Sequence, residues 1–166
     1  IMIGFCIMYS VISYSYAYYG ELITYAAMSL PMAALSLVSW LRHPFNGNRS
    51  EVKVNEIKGK EYALMFAVAS VVTVAFYFIL RAFGTANLIP STFSVITSFV
   101  AAYLTMRRSP CYALGYAAND VVLIVLWVLA SIDDISYISM VICFITFLVN
   151  DMYGFINWRR MLKRQS

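Results

Sequence analysis

The sequence predicts an all-α membrane protein, a bundle of transmembrane helices, and three observations predict it. The chain of 166 residues is 62% hydrophobic and only 12% charged, about half the charge of a soluble globular domain. Its charges gather in a few short segments and leave long apolar runs between them. Period-2 alternation at strand length is absent, which argues against an outer-membrane barrel.

Six spans follow in chain order: Ile1–Tyr18, Glu21–Leu41, Tyr62–Phe83, Pro90–Met106, Pro110–Ala130 and Ile135–Trp158. Each has to supply on the order of 20 residues to cross the hydrocarbon layer; the fourth is short and the first begins abruptly. Turn-forming stretches separate them: "YYGE" at 18–21, "GTANLIP" at 84–90, "RRSP" at 107–110 and "DD" at 133–134. Ser109-Pro110 reads as an N-cap followed by an N1 proline. Asp133 and Asp134 suit the positive dipole end of the last helix. Pro31, inside the second span, is a hinge or a tolerated kink.

The basic residues orient the bundle. Arg42, Arg49, Lys53, Lys58 and Lys60 lie in the 42–61 loop, Arg107 and Arg108 in a turn, and Arg159, Arg160, Lys163 and Arg164 in the 159–166 tail. With six spans, these 11 of the 12 Lys and Arg fall on one side and Arg81 alone on the other. The positive-inside rule makes that side cytoplasmic, so the net charge of +4 needs no nucleic-acid partner. On that side the sequon Asn48-Arg49-Ser50 is not read as a glycosylation site. Cys6, Cys111 and Cys143 form no metal pattern and read as packing residues. His43, the only histidine, lies in a polar loop. No metal or cofactor is expected.

Segments 18–43 and 136–161 both run from Tyr through an apolar stretch to Trp-x-Arg. At an offset of 118, Tyr19 falls on Tyr137, Trp40 on Trp158 and Arg42 on Arg160. Both segments end on the same side, so the copies are parallel. The layout is then 1–41 as the remainder of a first three-helix repeat, 62–83 as a linker helix and 90–158 as a second repeat. The alternative is that any two membrane helices end in Trp and Arg anchors. The offset sets Ile1 against Asn119, inside a helix, which implies on the order of 30 further residues before Ile1.

Two Asn-Asp pairs interrupt apolar runs: Asn119-Asp120 in "GYAANDVVLIVLW" and Asn150-Asp151 in "FLVNDMYGFINW". A charged side chain at the bilayer centre costs about 2.5–3.5 kcal/mol on insertion scales. Helical spacing sets Tyr112, Tyr116, Asn119, Asp120, Leu123 and Trp127 on one face. It gathers Thr146, Phe147, Asn150, Asp151, Gly154, Asn157 and Trp158 on another. Lipid rejects such faces, so they point into the bundle or a wet cavity. One reading makes the amides and carboxylates hydrogen-bonding glue between helices. The other makes them a binding site, where amides and carboxylates take hydroxyls and aromatic faces take a planar ring or a cation. The candidates are Asn119, Asn150, Asp120, Tyr116, Trp127, Asp151 and Tyr153, with Trp127 divided between ligand stacking and interfacial anchoring. No Lys or Arg lies inside the bundle to neutralise a phosphate, which favours a nucleoside-like ligand over a nucleotide.

The stretches "RRSPCYALGYAANDVVLIVLW" and "FLVNDMYGFINWRR" resemble the second half of the PnuC family of nicotinamide riboside transporters. The resemblance rests on a mid-helix Asn and an N-x-x-Y-G-x-x-x-W pattern, here Asn150, Tyr153, Gly154 and Trp158. "YYGELIT…P…W" resembles the end of the family's first half. The resemblance implies a SWEET-like 3+1+3 fold in a bacterial plasma membrane with the C-terminus cytoplasmic. It also implies facilitated diffusion of nicotinamide riboside (vitamin B3) and trapping by a cytoplasmic kinase, with Asn119 and Asn150 lining the site. A homo-oligomer is compatible with it. Sibling cargoes in that family are thiamine, riboflavin and deoxynucleosides. The first half has no matching Asn, since the offset sets Met32 against Asn150. An intramembrane enzyme using Asp120 and Asp151 as an acid/base pair is the reading from another class; it lacks a Gly-x-Gly-Asp context, and carboxylates too far apart for one water to bridge would end it.

Overall fold

The computed structural model describes residues 2–15, 18–85 and 87–165, with their side chains except those of 48–50. Ile1, Tyr16, Ala17, Ala86 and Ser166 lie outside the described residues, and with them the start of the predicted first span, two residues near its end and the register of Ile1 on Asn119. The chain forms α1 (Met2–Ser15), α2 (Tyr19–Ile23), a π-helical turn (Thr24–Ser29) and α3 (Leu30–Arg42). A hairpin of β1 (Pro44–Phe45) and β2 (Asn48–Val52) follows. Then come α4 (Gly59–Ala82), α5 (Leu88–Met106), α6 (Tyr112–Asp133), a 3-10 turn (Ile135–Tyr137) and α7 (Ile138–Gln165).

Among the described residues five helices are long and apolar enough to cross a membrane: Tyr19–Arg42, Gly59–Ala82, Leu88–Met106, Tyr112–Asp133 and Ile135–Gln165; Met2–Ser15 is apolar but shorter. Five of the six predicted spans are thus helices of membrane length with shifted ends, and the first is a shorter apolar helix. α7 continues through Arg159 and Lys163 to Gln165, so the predicted tail is helical. Its last turn is held by the hairpin: Gln165 accepts from the Val54 N–H at 2.8 Å and donates to Glu51 and the Val52 carbonyl, and Arg164 pairs with Glu51 at 2.9 Å. The hairpin turns on Asn46 and Gly47, both at positive φ, the conformation Asn-Gly adopts in a two-residue hairpin.

The predicted start of the fifth span is corrected. α6 begins at Tyr112, with Cys111 at its cap position and no side-chain cap. Ser109 instead accepts the Cys111 N–H at 3.3 Å, inside the turn that closes α5. There the Ser109 N–H bonds Leu104 O and the Arg108 N–H bonds Thr105 O, a Schellman arrangement with Arg108 left-handed at φ 58. Asp133 ends α6, and Asp134 is the residue that caps, accepting from the Ser136 N–H at 2.9 Å.

Pro31 sits at the first turn of α3, directly after the π turn. Proline cannot donate to the carbonyl four residues back, and the wider i→i−5 register just before it, with the Leu30 N–H on Tyr25 O, carries the chain past that missing bond.

α6 is the central helix, packed on both α5 and α7, while α5 also contacts α3 and α4. The α5–α6 approach is close because position 115 is glycine: a Cβ there would stand 2.8 Å from the Ala101 Cα. Two pairs of residues 118 apart in sequence meet in space. Tyr9 and Trp127 are joined by a hydrogen bond of 3.0 Å, and Trp40 and Trp158 have ring centroids 5.3 Å apart.

Candidate functional site

Asn119 is the anchor of the interior. It sits in the third turn of α6 and is 4% exposed, so its carboxamide must find partners inside the bundle. Its oxygen accepts from Thr97 Oγ1 and Ser98 Oγ of α5, both at 2.8 Å, and its nitrogen donates to the Tyr25 hydroxyl at 3.3 Å. Both lone-pair sites of the oxygen are used and one N–H remains to offer. Tyr25 reaches Asn119 from the π turn, a local geometry common at functional sites.

Asn119, Ser98 and Tyr25 face a cavity of about 510 Å³, within the usual range for a small-molecule site. Asn119, Asp120, Tyr116, Asn150 and Asp151 all line it, together with Tyr25, Ser98, Tyr112, Phe144 and Phe147. No Lys, Arg or His is among its described lining residues. Tyr116 stands edge-on to Tyr112, centroids 6.1 Å apart. The carboxyl groups of Asp120 and Asp151 lie within hydrogen-bonding reach of one another, and Asp120 Oδ2 is buried with no partner.

Aromatic clusters form toward both ends of the bundle. Toward the basic end, Trp40, Tyr112 and Trp158 touch, with Tyr112 and Trp158 centroids 4.7 Å apart. The Trp40 indole donates to Thr105 O, which also takes the Arg108 N–H, and Ser39 donates to Met106 O, each at 2.8 Å, so side chains of α3 help satisfy the carbonyls at the end of α5. Toward the other end, Trp127 packs against Tyr9, Tyr18 and Tyr137.

Two of the predicted site residues do not reach the cavity. Trp127 shares the face of Asp120 but lies seven residues further on, roughly 10 Å along the axis. It is 0% exposed and committed to Tyr9. Tyr153 is two residues past Asp151, so it projects from the opposite side of α7, and it is 65% exposed. Sequence reasoning missed Tyr25 and Ser98. A signal for Ser98 was present: Ser91, Ser94, Ser98 and Thr105, all buried, recur at helical spacing along one face of α5, a small-residue stripe that lets helices approach.

The short distance between Asp120 and Asp151 meets the geometric condition for an acid/base pair, so the chemistry is decided by kinship. The nicotinamide riboside transporter PnuC of Neisseria mucosa is 26% identical over 164 residues, covering 96% of this chain and 62% of that protein. This chain thus spans about 62% of the length of the curated relative it matches. The crystal structure of the vitamin B3 transporter PnuC shares the fold with a TM-score of 0.78 at 24% identity, over 95% of this chain and 69% of that one. These are transporters and not enzymes. The family model described as nicotinamide mononucleotide transporter matches residues 1–160, and a match over nearly the whole chain means that this protein belongs to that family.

Proposed function

We propose that this chain moves nicotinamide riboside across a membrane by facilitated diffusion. The two halves of the bundle would rock about the cavity, and the positive-inside rule puts the basic end in the cytoplasm. The observation that carries the reading is the wall of the cavity. Amides at Asn119 and Asn150, carboxylates at Asp120 and Asp151 and aromatic faces at Tyr116, Phe144 and Phe147 all line it, with no basic side chain among the described lining residues. A ribose offers hydroxyls to such groups, and a pyridinium ring offers a flat cation. A 5′-phosphate would find no Lys or Arg. This favours the nucleoside over the mononucleotide for which the family is named.

The same argument accounts for trapping. A cytoplasmic kinase that phosphorylates the nucleoside turns it into a dianion that this wall disfavours, so diffusion inward need not be coupled to an ion. Calorimetry on purified protein tests the cargo. Heat should appear with nicotinamide riboside and not with the mononucleotide, and equal binding of the two would sink the nucleoside reading. Uptake into liposomes should be unaffected by an uncoupler.

A sibling cargo is the second reading, favoured by the acidic pair itself. Thiamine carries a ring cation as nicotinamide riboside does, whereas riboflavin and deoxynucleosides do not. Tight thiamine binding with no response to nicotinamide riboside would move the assignment within the family.

A further inference from the structure

We propose that Asp120 and Asp151 act as one anionic unit that reads the charge of the cargo's ring, so that this chain selects ring-cationic nucleosides and vitamins over neutral molecules of the same shape. The inference rests on the cavity being the transport site and names what that site discriminates. The two carboxyl groups come from adjacent helices and stand within hydrogen-bonding reach of each other. Asp120 is 5% exposed, and its Oδ2 has no partner. Two carboxyls so close share a proton and carry about one negative charge between them, a charge still without a protein cation beside it. No Lys, Arg or His is among the described lining residues. The basic groups in ion pairs, Arg107 with Glu61 and Arg164 with Glu51, are committed elsewhere, at the basic end of the bundle.

What the protein does not supply, the ligand can. A metal ion is a poor fit, because no group of three or more His, Cys, Asp or Glu among the described residues is arranged to hold one. A cavity of about 510 Å³ suits a bulky organic cation. Phe144 and Phe147 also line it, and aromatic rings attract such a cation.

The charge is also one-sided. At the offset of 118 that relates Tyr9 to Trp127, Asp120 and Asp151 correspond to Met2 and Ala33, and these two line the same cavity. Among the described lining residues only those of the α6–α7 wall are acidic. A cationic ring therefore has one favoured end of the cavity, with the remainder of the cargo directed toward the apolar α1–α3 wall.

Binding to purified protein, followed by calorimetry, tests this with two matched pairs of probes. Nicotinamide riboside has a neutral counterpart in its reduced dihydropyridine form. The smaller cation 1-methylnicotinamide has one in nicotinamide. Wild type should prefer the cation in each pair by roughly 10- to 100-fold, the worth of a hydrogen bond or contact to a charged group. In the Asp120→Asn/Asp151→Asn double variant the preference should collapse to about twofold or less, through weaker binding of the cation alone. Asp151→Asn, at the more exposed position, should show part of this loss if the double variant fails to fold. Equal affinity for both members of a pair in wild type overturns the proposal, and so does a double variant that keeps the preference. Nicotinamide riboside bound without charge preference ends the charge-reading role and leaves the cargo assignment standing. No binding of nicotinamide riboside, with 1-methylnicotinamide still preferred over nicotinamide, ends the cargo assignment and leaves the charge-reading role standing.

Discussion

The indole of Trp127 donates a hydrogen bond of 3.0 Å to the hydroxyl of Tyr9, across 118 residues of chain. Both side chains are almost fully buried, at 0% and 2% exposure, so neither polar atom has water as a substitute. Trp127→Phe should strand the Tyr9 hydroxyl and lower stability by about 1–3 kcal/mol. Tyr9→Phe should strand the indole N–H to a similar extent. The double variant should lose less than the sum of the two, because it removes both partners together. Thermal unfolding in detergent reads all three. If Trp127→Phe left stability intact and reduced cargo binding, Trp127 would be a ligand-stacking residue after all.

Glycine at 115 makes the contact between α5 and α6. A methyl group added there meets the Ala101 backbone rather than a flexible side chain, so the helices themselves have to separate. Gly115→Ala gains helix propensity of about 1 kcal/mol, yet should still destabilise by about 1–3 kcal/mol through overpacking. Gly154→Ala is the control. Its nearest neighbours stand at 3.8 Å, ordinary contact distance, and the same substitution there should be neutral or stabilising. A stabilised Gly115→Ala variant would show that the two helices part easily.

How far the sequence could be read depended on what each feature contrasts with. Apolar runs of membrane length stand out against charged connections, so the five helices of that length and the shorter Met2–Ser15 were legible. Their ends were not, because helix and loop share polar residues there: Arg159 to Gln165 look like a tail and form about two further turns of α7, held at the end by Glu51, Val52 and Val54. The Asn46-Gly47 hairpin was readable from its turn dipeptide but sits in a basic loop whose charge draws the attention. In the cavity, Asn119, Asp120, Asn150 and Asp151 were legible because amides and carboxylates are conspicuous in an apolar run. Tyr25 and Ser98 were not, since a serine hydroxyl can satisfy itself on its own helix and a tyrosine is ordinary near a membrane interface. Trp127 fell on the right face at the wrong height, a distinction that periodicity alone does not make.

The hairpin clasp on α7 carries a pH dependence. Gln165 and then Arg164 hold the Glu51 carboxyl below its ordinary range. A carboxyl whose pKa falls on folding contributes fully above its unfolded value, about 4.3, and loses that contribution as pH drops through the folded value. Glu51→Gln should therefore flatten the acid limb of the stability profile below about pH 5 and change little near neutrality, where an exposed ion pair is weak. Hydrogen exchange at the Val52 and Val54 amides should speed up as pH falls in wild type, beyond the intrinsic trend. An identical acid limb in the variant would remove Glu51 from the account.

Asn119 and Asn150 carry the same side chain to the same cavity and should fail in different ways. Asn119 is buried and ties α5, α6 and the π turn together through Thr97, Ser98 and Tyr25. Asn119→Ala takes the partner from the Ser98 and Tyr25 hydroxyls, while Thr97 keeps the Phe93 and Ser94 carbonyls, and should cost about 2–4 kcal/mol of stability, several lost or unsatisfied hydrogen bonds acting together, along with cargo binding. Asn119→Asp keeps the acceptor for Thr97 and Ser98 but loses the donor to Tyr25, so it should fold better than the alanine variant. Asn150 is exposed and lines the cavity, and Asn150→Ala should leave stability within about 0.5 kcal/mol. If Asn150 contacts the cargo, affinity should still fall roughly tenfold, the worth of one hydrogen bond to a polar ligand. Unfolding midpoints and binding isotherms on the same preparations separate the two roles. Equal loss of stability at both positions would make Asn150 packing glue rather than a contact to cargo.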